Sequence, residues 1–342
     1  MIALGHQVVI ACQPKSGILL KAREYGIPAE EVVMRGSIDP AAVWNLYRLI
    51  KRRGINVVST HSGKDSWSAG FAAKLAGVDL LVRTRHLSLP ISNSPFNFVY
   101  KMADGIVTTG EAIRETLIAD NHMDPERLVS IATGVSLERF DPEITSSPEL
   151  KRQLGIAPEC RIVTMVAVLR AMKRHDLLVS CAALLRDEFP DLKFLVVGDG
   201  PGRESITRLI AEAGLEDRFI LTGHRNDVPE IFSVSDLVVL TSDRFEGVPQ
   251  SLSQAMAMGC PVIAAPVGST AELVVDGKTG LLVETGNAAS FAGAIRRLLG
   301  DEALRAELGR GARRHILEGY TDDIMAEKTV RFYQKLAAAK KH

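Results

Sequence analysis

A basic stretch follows a short run of apolar and β-branched residues near the middle of the chain. Residues 167–176 read Ala-Val-Leu-Arg-Ala-Met-Lys-Arg-His-Asp, directly after the run Ile162 to Val166. Parallel α/β sheets bind ligands at the carboxyl ends of their strands, so Arg170 and Lys173 are candidate phosphate-binding cations. An arginine fork and a lysine point charge can together neutralise a diphosphate leaving group without a metal. The alternative is a solvated turn.

A second polar loop follows a later apolar run. Residues 242–259 read Ser-Asp-Arg-Phe-Glu-Gly-Val-Pro-Gln-Ser-Leu-Ser-Gln-Ala-Met-Ala-Met-Gly, and the spacing predicts a helix from about Gln250. The amino end of a helix carries partial positive charge and free N–H groups, which suit a diphosphate. Glu246 could accept hydrogen bonds from sugar hydroxyls, and Gln254, one turn into the helix, could reach a ribose.

A glycine-rich turn lies between these two loops. Gly198-Asp199-Gly200-Pro201-Gly202 follows an apolar run and precedes a helical pattern. In a dinucleotide fingerprint the third glycine would fall at Arg203, so that motif is not matched. Two interpretations remain, a tight strand-to-helix turn and a turn in which Gly200 also lines a nucleotide site.

Composition excludes several classes of protein. The 342 residues favour two domains, and 46% hydrophobic with 24% charged residues is ordinary for a folded globular protein. Forty-one basic residues balance forty-one acidic ones, so the overall charge does not indicate nucleic-acid binding. The four cysteines are scattered without a C-x-x-C pair, and no D-x-D motif occurs, so we expect no metal site and no cofactor. No apolar run or leader pattern is long enough for a membrane span or secretory signal, which predicts a cytoplasmic protein.

Short β-branched runs alternate with longer helical patterns along most of the chain, which predicts an α/β fold with parallel sheets. The predicted strands of the first half are Gln7–Ala11, Val32–Met34, Asn56–Thr60, Leu80–Arg85, Gly105–Thr108 and Leu128–Ile131. Those of the second half are Arg161–Val166, Leu192–Val197, Phe219–Leu221, Leu237–Leu240, Pro261–Ala264 and Leu281–Val283. The proline- and serine-containing segment 137–158 reads as the connection. We therefore predict domains at residues 1–145 and 146–320, with a final helix over 321–342 that crosses back to the first domain.

Five ordered motifs in the second half carry a family resemblance. They are residues 198–201, 222–225, 246–252, 257–263 and the pair 268–274 and 276–283. In order and spacing they resemble the family four retaining glycosyltransferases. Residues 60–62, 83–86, 103–107 and 129–140 are similar to that family's amino-terminal landmarks. The resemblance implies the GT-B architecture, in which two Rossmann-like domains face each other and the second holds a nucleotide-sugar.

The resemblance also implies roles for individual residues. Lys173 would bind the donor diphosphate, with Arg170 beside it, and Glu246 would contact the donor sugar. Backbone amides around Val248, Gln250 and Ser251 would meet the phosphates, while Gln254 would bind the ribose and Arg225 would edge the base pocket. His86 matches a first-domain histidine beside the transferred sugar; the alternative is a capped loop histidine. His61 is interpreted as structural.

Three features depart from the family pattern. Gln254 stands where the family has a second glutamate, and Val168 stands where it has an arginine, so Arg170 would have to substitute. The first strand and its glycine-rich loop are not found, and we therefore expect a chain shortened at its amino end.

The function predicted from these observations is metal-independent transfer of a hexosyl or heptosyl group, with retention, to a glycan or lipid-linked glycan. The resemblance points to bacterial lipopolysaccharide or surface-polysaccharide assembly. The alternatives are a weakly active nucleotide-sugar-binding protein and a nucleotide-sugar epimerase of the same fold. The helix over Trp44 to Arg53 is basic and partly apolar, which suits peripheral membrane contact. Its basic carboxyl end could equally complement the helix dipole.

Overall fold

Two α/β units are present in the computed structural model, which describes residues 1–86, 91, 98–143 and 148–340. One unit comprises residues 1–131 together with 325–342, and the other comprises residues 132–324. Val135 and Phe140 are buried in the core of the second unit, and the domain boundary near residue 145 stays a prediction. Ser146 and Ser147, which helped to suggest that boundary, lie outside the described residues.

The first unit contains two parallel sheets. Strands β1 and β2 pair with each other, and the other four form a sheet of order β3-β4-β5-β6. Its elements are β1 (Ile10–Cys12), α1 (Gly17–Glu24), β2 (Ala29–Glu31), α2 (Pro40–Arg53), β3 (Val57–Thr60), α3 (Gly63–Ala76), β4 (Leu80–Arg85), α4 (Val99–Met102), β5 (Gly105–Thr108), α5 (Glu111–Ala119) and β6 (Leu128–Ser130).

Local sequence signals fix the ends of the two longest helices between these strands. The side chain of Asp39 accepts hydrogen bonds from the amides of Ala41 and Ala42, and Gly54 ends α2 with a left-handed φ of 60°. Helix α3 begins with a capping box between Ser62 and Asp65. The residues at the carboxyl end of β3 are therefore held directly beside the start of α3.

The second unit has one six-stranded parallel sheet of order β12-β11-β10-β7-β8-β9. Its elements are α6 (Pro148–Gln153), β7 (Arg161–Val166), α7 (His175–Leu185), β8 (Leu192–Val197), α8 (Arg203–Glu212), β9 (Phe219–Gly223), α9 (Val228–Ser233), β10 (Leu237–Leu240), α10 (Gln250–Ala257), β11 (Val262–Ala264), α11 (Thr270–Leu273), β12 (Leu281–Leu282), α12 (Ala288–Gly300) and α13 (Glu302–Gly319). The strand order reverses between β7 and β10. In a doubly wound sheet, that switch point is where ligands bind.

The last helix, α14 (Asp322–Ala339), belongs to the first unit from Met325 onward. Phe332 and Leu336 are buried against the β3-β4-β5-β6 sheet. A Cβ atom on Gly105 would lie 2.4 Å from Leu336, so the glycine permits this close packing. The Lys340 ammonium group donates to the Asp79 carbonyl at 2.7 Å and lies 3.2 Å from the Asp104 carboxylate.

Two sequence expectations are corrected by the structure. The second strand is Ala29–Glu31 rather than Val32–Met34. At Met34 the side-chain amide of Gln13 bonds both the backbone N–H and the carbonyl, in place of a strand partner. The predicted connection also contains helix α6, whose Leu150 packs with Ile156 in a core cluster of the second unit.

Candidate active site

The loops that follow β7 and β10 meet at the switch point of the second sheet. These two strands are hydrogen-bonded neighbours, with Leu237 opposite Val163. The Lys173 ammonium group lies 2.5 Å from Glu246 Oε1, although 73 residues separate them in sequence. Glu246 is only 7% exposed, so this contact is a largely buried ion pair rather than a surface one.

The Lys173 loop is held by a buried hydroxyl and by charge. After β7 the chain forms a 3₁₀ turn over Ala171–Lys173. The Thr241 hydroxyl, fully buried at the end of β10, lies 2.8 and 2.9 Å from the carbonyl oxygens of Lys173 and Arg174. The Arg174 guanidinium bonds both Asp176 and Asp243, which raises the pKa of Arg174 further above its ordinary value. The backbone of this loop is therefore tied to the loop after β10.

Glu246 is positioned by contacts with the loop after β11. The amide of Ser269 donates to the Glu246 carbonyl at 3.1 Å. Gly268 has a φ of 55°, and a Cβ atom there would lie 2.0 Å from the same oxygen. Phe245, just before the glutamate, has a left-handed φ of 61°. A glycine at 268 is thus required for the backbone approach that fixes Glu246.

Helix α10 presents an uncapped amino end after the same loop. Pro249 stands at its N-cap, and among the described residues no side-chain cap bonds the first-turn amides. Gln250 and Ser251 begin the helix, and Val248 is buried just before it. Free first-turn N–H groups and the helix dipole together favour an anion. The side-chain amide of Gln250 donates weakly to the Gly134 carbonyl at 3.4 Å.

Several buried polar atoms on the same loops have no hydrogen-bond partner within the described ranges. They are the hydroxyl oxygens of Ser242, Ser269 and Thr270, the Oε1 atom of Gln250 and both ring nitrogens of His175. Burial, followed by the nearby charge of Lys173, lowers the pKa of His175 to about 4, so its ring is neutral. Unpaired buried polar atoms are uncommon in folded proteins, and a bound polar ligand is one way to satisfy them.

The glycine-rich turn is shaped by packing against the Lys173 loop. A Cβ atom on Gly198, where φ is 138°, would lie 2.1 Å from the Ala167 carbonyl oxygen. One on Gly200 would lie 2.7 Å from the carbonyl oxygen of Leu169, and the Gly202 amide bonds that oxygen at 2.9 Å. The turn interpretation therefore accounts for these glycines, while nucleotide contact by Gly200 stays a prediction.

Arg225 and Arg170 have different surroundings. Arg225 follows β9, and its guanidinium group bonds both carboxylate oxygens of Asp227. The distance from Arg225 Nε to Asp227 Oδ1 is 2.8 Å. That pairing lowers the pKa of Asp227 and raises the pKa of Arg225. Arg170 is exposed at the start of the 3₁₀ turn. Gln254 lies half-buried on α10. No contact in the structure assigns a ligand to any of these three residues, and their roles stay predictions.

In the first unit, His86 follows β4 and is not isolated. Its Nε2 atom lies 3.3 Å from Nδ1 of His61, which follows β3. The rings stack with centroids 5.6 Å apart. The Thr109 hydroxyl also donates to the His86 carbonyl at 3.3 Å. The interpretation of His61 as structural therefore misses its direct contact with a candidate site residue, since sequence alone does not show that β3 and β4 are adjacent.

Sequence reasoning also missed Thr241 and the Arg174–Asp243 pair. A signal for Thr241 was available, because it is a polar residue directly after the apolar run that forms β10. The Arg174–Asp243 ion pair gave no signal in the sequence, because the two residues belong to separate motifs.

Among the residues that the structure describes, no group of three or more His, Cys, Asp or Glu side chains is placed to hold a metal ion. None of the described helices is both long and apolar enough to span a membrane.

Two family models together match most of the chain. The family described as glycosyl transferases group 1 matches residues 146–315, and the family described as glycosyltransferase family 4 matches residues 1–139. This chain belongs to the family four glycosyltransferases. Enzymes of that family use nucleotide-sugar donors, and this glycosyltransferase is assigned the same general activity.

Two curated relatives cover most of this glycosyltransferase. The UDP-Gal:alpha-D-GlcNAc-diphosphoundecaprenol alpha-1,3-galactosyltransferase of Escherichia coli is 28% identical over 295 residues, which is 82% of this chain and 76% of that protein. The N-acetyl-alpha-D-glucosaminyl L-malate synthase of Bacillus anthracis is 31% identical over 266 residues, covering 77% and 66% respectively. By their names, the first uses a diphosphoundecaprenol-linked sugar and the second forms an N-acetylglucosaminyl L-malate.

Solved structures establish the fold of this glycosyltransferase. Anabaena HepE in complex with UDP and glucose superposes with a TM-score of 0.86 at 20% identity, covering 97% of this chain and 94% of that one. The shared fold is GT-B, as the sequence resemblance implied.

Proposed function

We propose that this glycosyltransferase transfers a hexosyl or heptosyl group, with retention of anomeric configuration, from a nucleoside diphosphate sugar to a glycan or lipid-linked glycan. The observation that carries this proposal is the buried contact between Lys173 and Glu246 beside the uncapped start of α10. An ammonium group has three donors, so one can bond Glu246 while the other two bond phosphate oxygens. The proposed chemistry therefore needs no rearrangement of this ion pair.

In the proposed mechanism, charge that develops on the leaving diphosphate is stabilised by Lys173, with Arg170, and by the amides of Val248, Gln250 and Ser251. Fixed donors aimed at developing charge contribute more than donors that must reorganise. The Thr241 and Arg174 contacts hold the Lys173 backbone in advance. This support comes from the chain's own residues, so we propose transfer without a divalent metal.

Glu246 would bind hydroxyl groups of the donor sugar through the carboxylate oxygen that does not face Lys173. Gln254 would bind the ribose, Arg225 would edge the base, and Gly200 would lie against the nucleotide. His86 would contact the transferred sugar. Retention fits a front-face reaction in which the leaving phosphate oxygen accepts the acceptor proton, which needs no carboxylate nucleophile.

The acceptor is proposed to belong to a bacterial envelope polysaccharide or lipopolysaccharide. The E. coli relative acts, by its name, on a diphosphoundecaprenol-linked sugar. On α2, Trp44 is 59% exposed and stacks on Tyr47, while Arg48 and Lys51 are exposed nearby. This combination supports peripheral contact with an anionic membrane. Co-sedimentation with vesicles of neutral lipid, and with vesicles that also contain phosphatidylglycerol, tests this contact. Binding only to the vesicles with phosphatidylglycerol is expected. Binding to neither kind of vesicle, or equal binding to both kinds, contradicts it.

The direct test is a transfer assay with a panel of UDP-, GDP-, ADP- and TDP-sugars and with lipid-linked acceptors. The product linkage is read by NMR, and the reaction is repeated in excess chelator. We expect one donor class to give an α-linked product from an α-linked donor at an unchanged rate in chelator. Nucleotide binding without transfer or hydrolysis of any donor would instead indicate a binding protein. Inversion, or loss of activity in chelator with rescue by magnesium, would contradict the mechanism.

A further inference from the structure

The His61 and His86 rings form the centre of a hydrogen-bonded chain in the first unit. His61 Nδ1 faces His86 Nε2 at 3.3 Å, and His61 Nε2 faces the Ser59 hydroxyl, also at 3.3 Å. Ser59 lowers the pKa of Tyr333 on α14 against the larger effect of burial, so the two hydroxyl groups lie near each other. The hydrogen-bonded chain itself runs from Ser59 on β3 through His61 to His86, the residue after β4. Both ring nitrogens of His61 have partners, whereas His61 contacts only the Nε2 atom of His86.

The backbone around His61 is fixed independently of its ring. The amide of His61 donates to Asp65 Oδ2 at 2.8 Å, and the Ser62 amide donates to Asp65 Oδ1 at 2.7 Å. Asp65 is also the third residue of the α3 capping box. The backbone at position 61 therefore stays in place when the side chain is changed. A substitution there reports on the side chain alone.

The contact between the two rings constrains their protons. A hydrogen bond between two imidazole nitrogens needs one N–H and one lone pair. If both rings were protonated, two N–H groups would face each other. The pair therefore carries at most one charge without breaking the contact, and the tautomer of His86 is set by which ring supplies the shared proton.

Local electrostatics also disfavour protonation of the two rings. Removal from solvent by neighbouring protein atoms, and then repulsion from His61, lower the pKa of His86, while Asp65 opposes the shift. Removal from solvent also lowers the pKa of His61, again against Asp65. Within the described part of the chain, the charged and titratable groups that act on the pKa values of the pair are Asp65 from α3 and, for His86, the ring of His61. Both rings are thus neutral near pH 7.

We propose that His61 is a positioning residue that fixes the ring and tautomer of His86, so that His86 Nδ1 is presented to a hydroxyl group of the sugar. The inference rests on the proposed function for the role of His86 at the sugar. It extends that function by assigning a second histidine that does not itself touch substrate. The Ser59 hydroxyl orients His61 in the same way from the opposite side.

Two substitutions of His61 separate positioning from simple folding. The amide of asparagine reaches the place of Nδ1, so His61→Asn keeps a partner for His86 and loses the one for Ser59. The amide of glutamine reaches the place of Nε2, so His61→Gln keeps the Ser59 contact and loses the one to His86. A merely structural role would favour glutamine, which is closer to histidine in length. The positioning role predicts the reverse.

The first readout needs no activity. Nitrogen-15 NMR of the imidazole groups reports tautomer and pKa, and His86→Gln assigns the signal. We expect one dominant His86 tautomer in the wild type and in His61→Asn, and mixed tautomers in His61→Gln. Because both variants remove the second titrating ring, the His86 pKa should rise in each. His6→Ala serves as the control, because His6 contacts neither ring among the described residues, and it should change neither property.

The second readout is transfer kinetics across pH. We expect His61→Gln to lower kcat roughly tenfold with little change in donor KM, and His61→Asn to stay within about threefold of the wild type. The acid limb of the rate profile should move to higher pH in both variants. Unchanged His86 tautomer and pKa in both variants would overturn the inference even if the wild type is active. If the wild type transfers no sugar, the proposed function fails, while the NMR comparison still decides whether His61 sets the state of His86.

Discussion

The Lys173–Glu246 pair and the His61–His86 pair are two polar contacts built in different ways. The first is an ion pair with Glu246 7% exposed, and it is surrounded by loops that leave no room for a Cβ atom at Gly198 or Gly268. The second is a contact at 3.3 Å between two neutral rings that neighbouring atoms shield in part but that still reach solvent, and it is extended by the Ser59 hydroxyl. Packing fixes the first pair, and a chain of hydrogen bonds fixes the second.

This difference predicts how substitutions in each pair affect stability and transfer rate. Removing one member of a buried ion pair leaves an uncompensated charge, so both stability and chemistry suffer. Removing one member of an exposed hydrogen-bonded pair lets water replace it, so folding is little affected while geometry and protonation change. Substitutions in the second unit should therefore couple stability to rate, and substitutions in the first should separate them.

The largest effect is expected for Lys173→Ala. Loss of the ammonium group removes stabilisation of the leaving diphosphate, and transfer should fall by about two to three orders of magnitude. The melting temperature should also fall, since Glu246 stays buried without its partner. Transfer assays and calorimetry measure the two effects.

The matched control for that prediction is the double variant Lys173→Met with Glu246→Gln. It removes both charges while keeping similar side-chain volumes, so the melting temperature should recover while the transfer rate stays low. Wild-type turnover in the double variant would remove the pair from the mechanism.

A smaller effect is expected at Gly268, where packing rather than charge is tested. Gly268→Ala places a Cβ atom against the Glu246 carbonyl, whereas Gly277→Ala, at φ 68°, meets nothing within 4 Å. Both changes strain a left-handed backbone, so their difference isolates the clash. We expect Gly268→Ala to be less stable than Gly277→Ala by roughly 1–3 kcal/mol in urea unfolding.

Transfer should also fall about tenfold in Gly268→Ala, because Glu246 is displaced, and should hardly change in Gly277→Ala. Equal losses of rate in the two glycine variants would mean that the backbone approach at Gly268 does not position the site.

The pH dependence of stability probes the same unit. His175 is buried with a pKa of about 4, below the ordinary value of 6.5, so the folded state binds fewer protons than the unfolded state between these values. Stability is therefore retained above pH 6.5 and is lost as the pH falls toward 4. The loss approaches about 3 kcal/mol. In His175→Leu the urea midpoint should vary less over this range. An identical pH dependence in the wild type and in this variant would contradict the assignment.

The smallest effect is expected at the far end of the histidine chain. Tyr333→Phe removes only the hydroxyl group near Ser59, and the ring keeps its packing on the sheet. We expect a change in kcat of at most about twofold, a loss of stability of about 1 kcal/mol, and a small shift of the acid limb. A tenfold loss of transfer would show that α14 contributes to the site far more than the hydrogen-bonded chain implies.

Much of the second unit followed from sequence, because the strands Arg161–Val166, Leu192–Val197 and Leu237–Leu240 are largely apolar runs with the predicted bounds. Buried parallel strands produce such runs, and motif residues directly after them must lie at the sheet's carboxyl edge. Lys173 and Glu246 were found in this way. Helix α6 was missed because its six residues give too short a pattern to distinguish from a loop.

The sequence by itself determined the α/β class, most strand bounds, and the residue types placed at strand ends. Periodicity reports on neighbours a few residues apart, so it cannot order the strands within a sheet. Only the tertiary structure decided that β7 lies beside β10, which brings Lys173 to Glu246, and that β3 lies beside β4, which brings His61 to His86. Strand order depends on how distant segments bury their apolar faces together, and that requirement is satisfied by the whole unit rather than by any one segment.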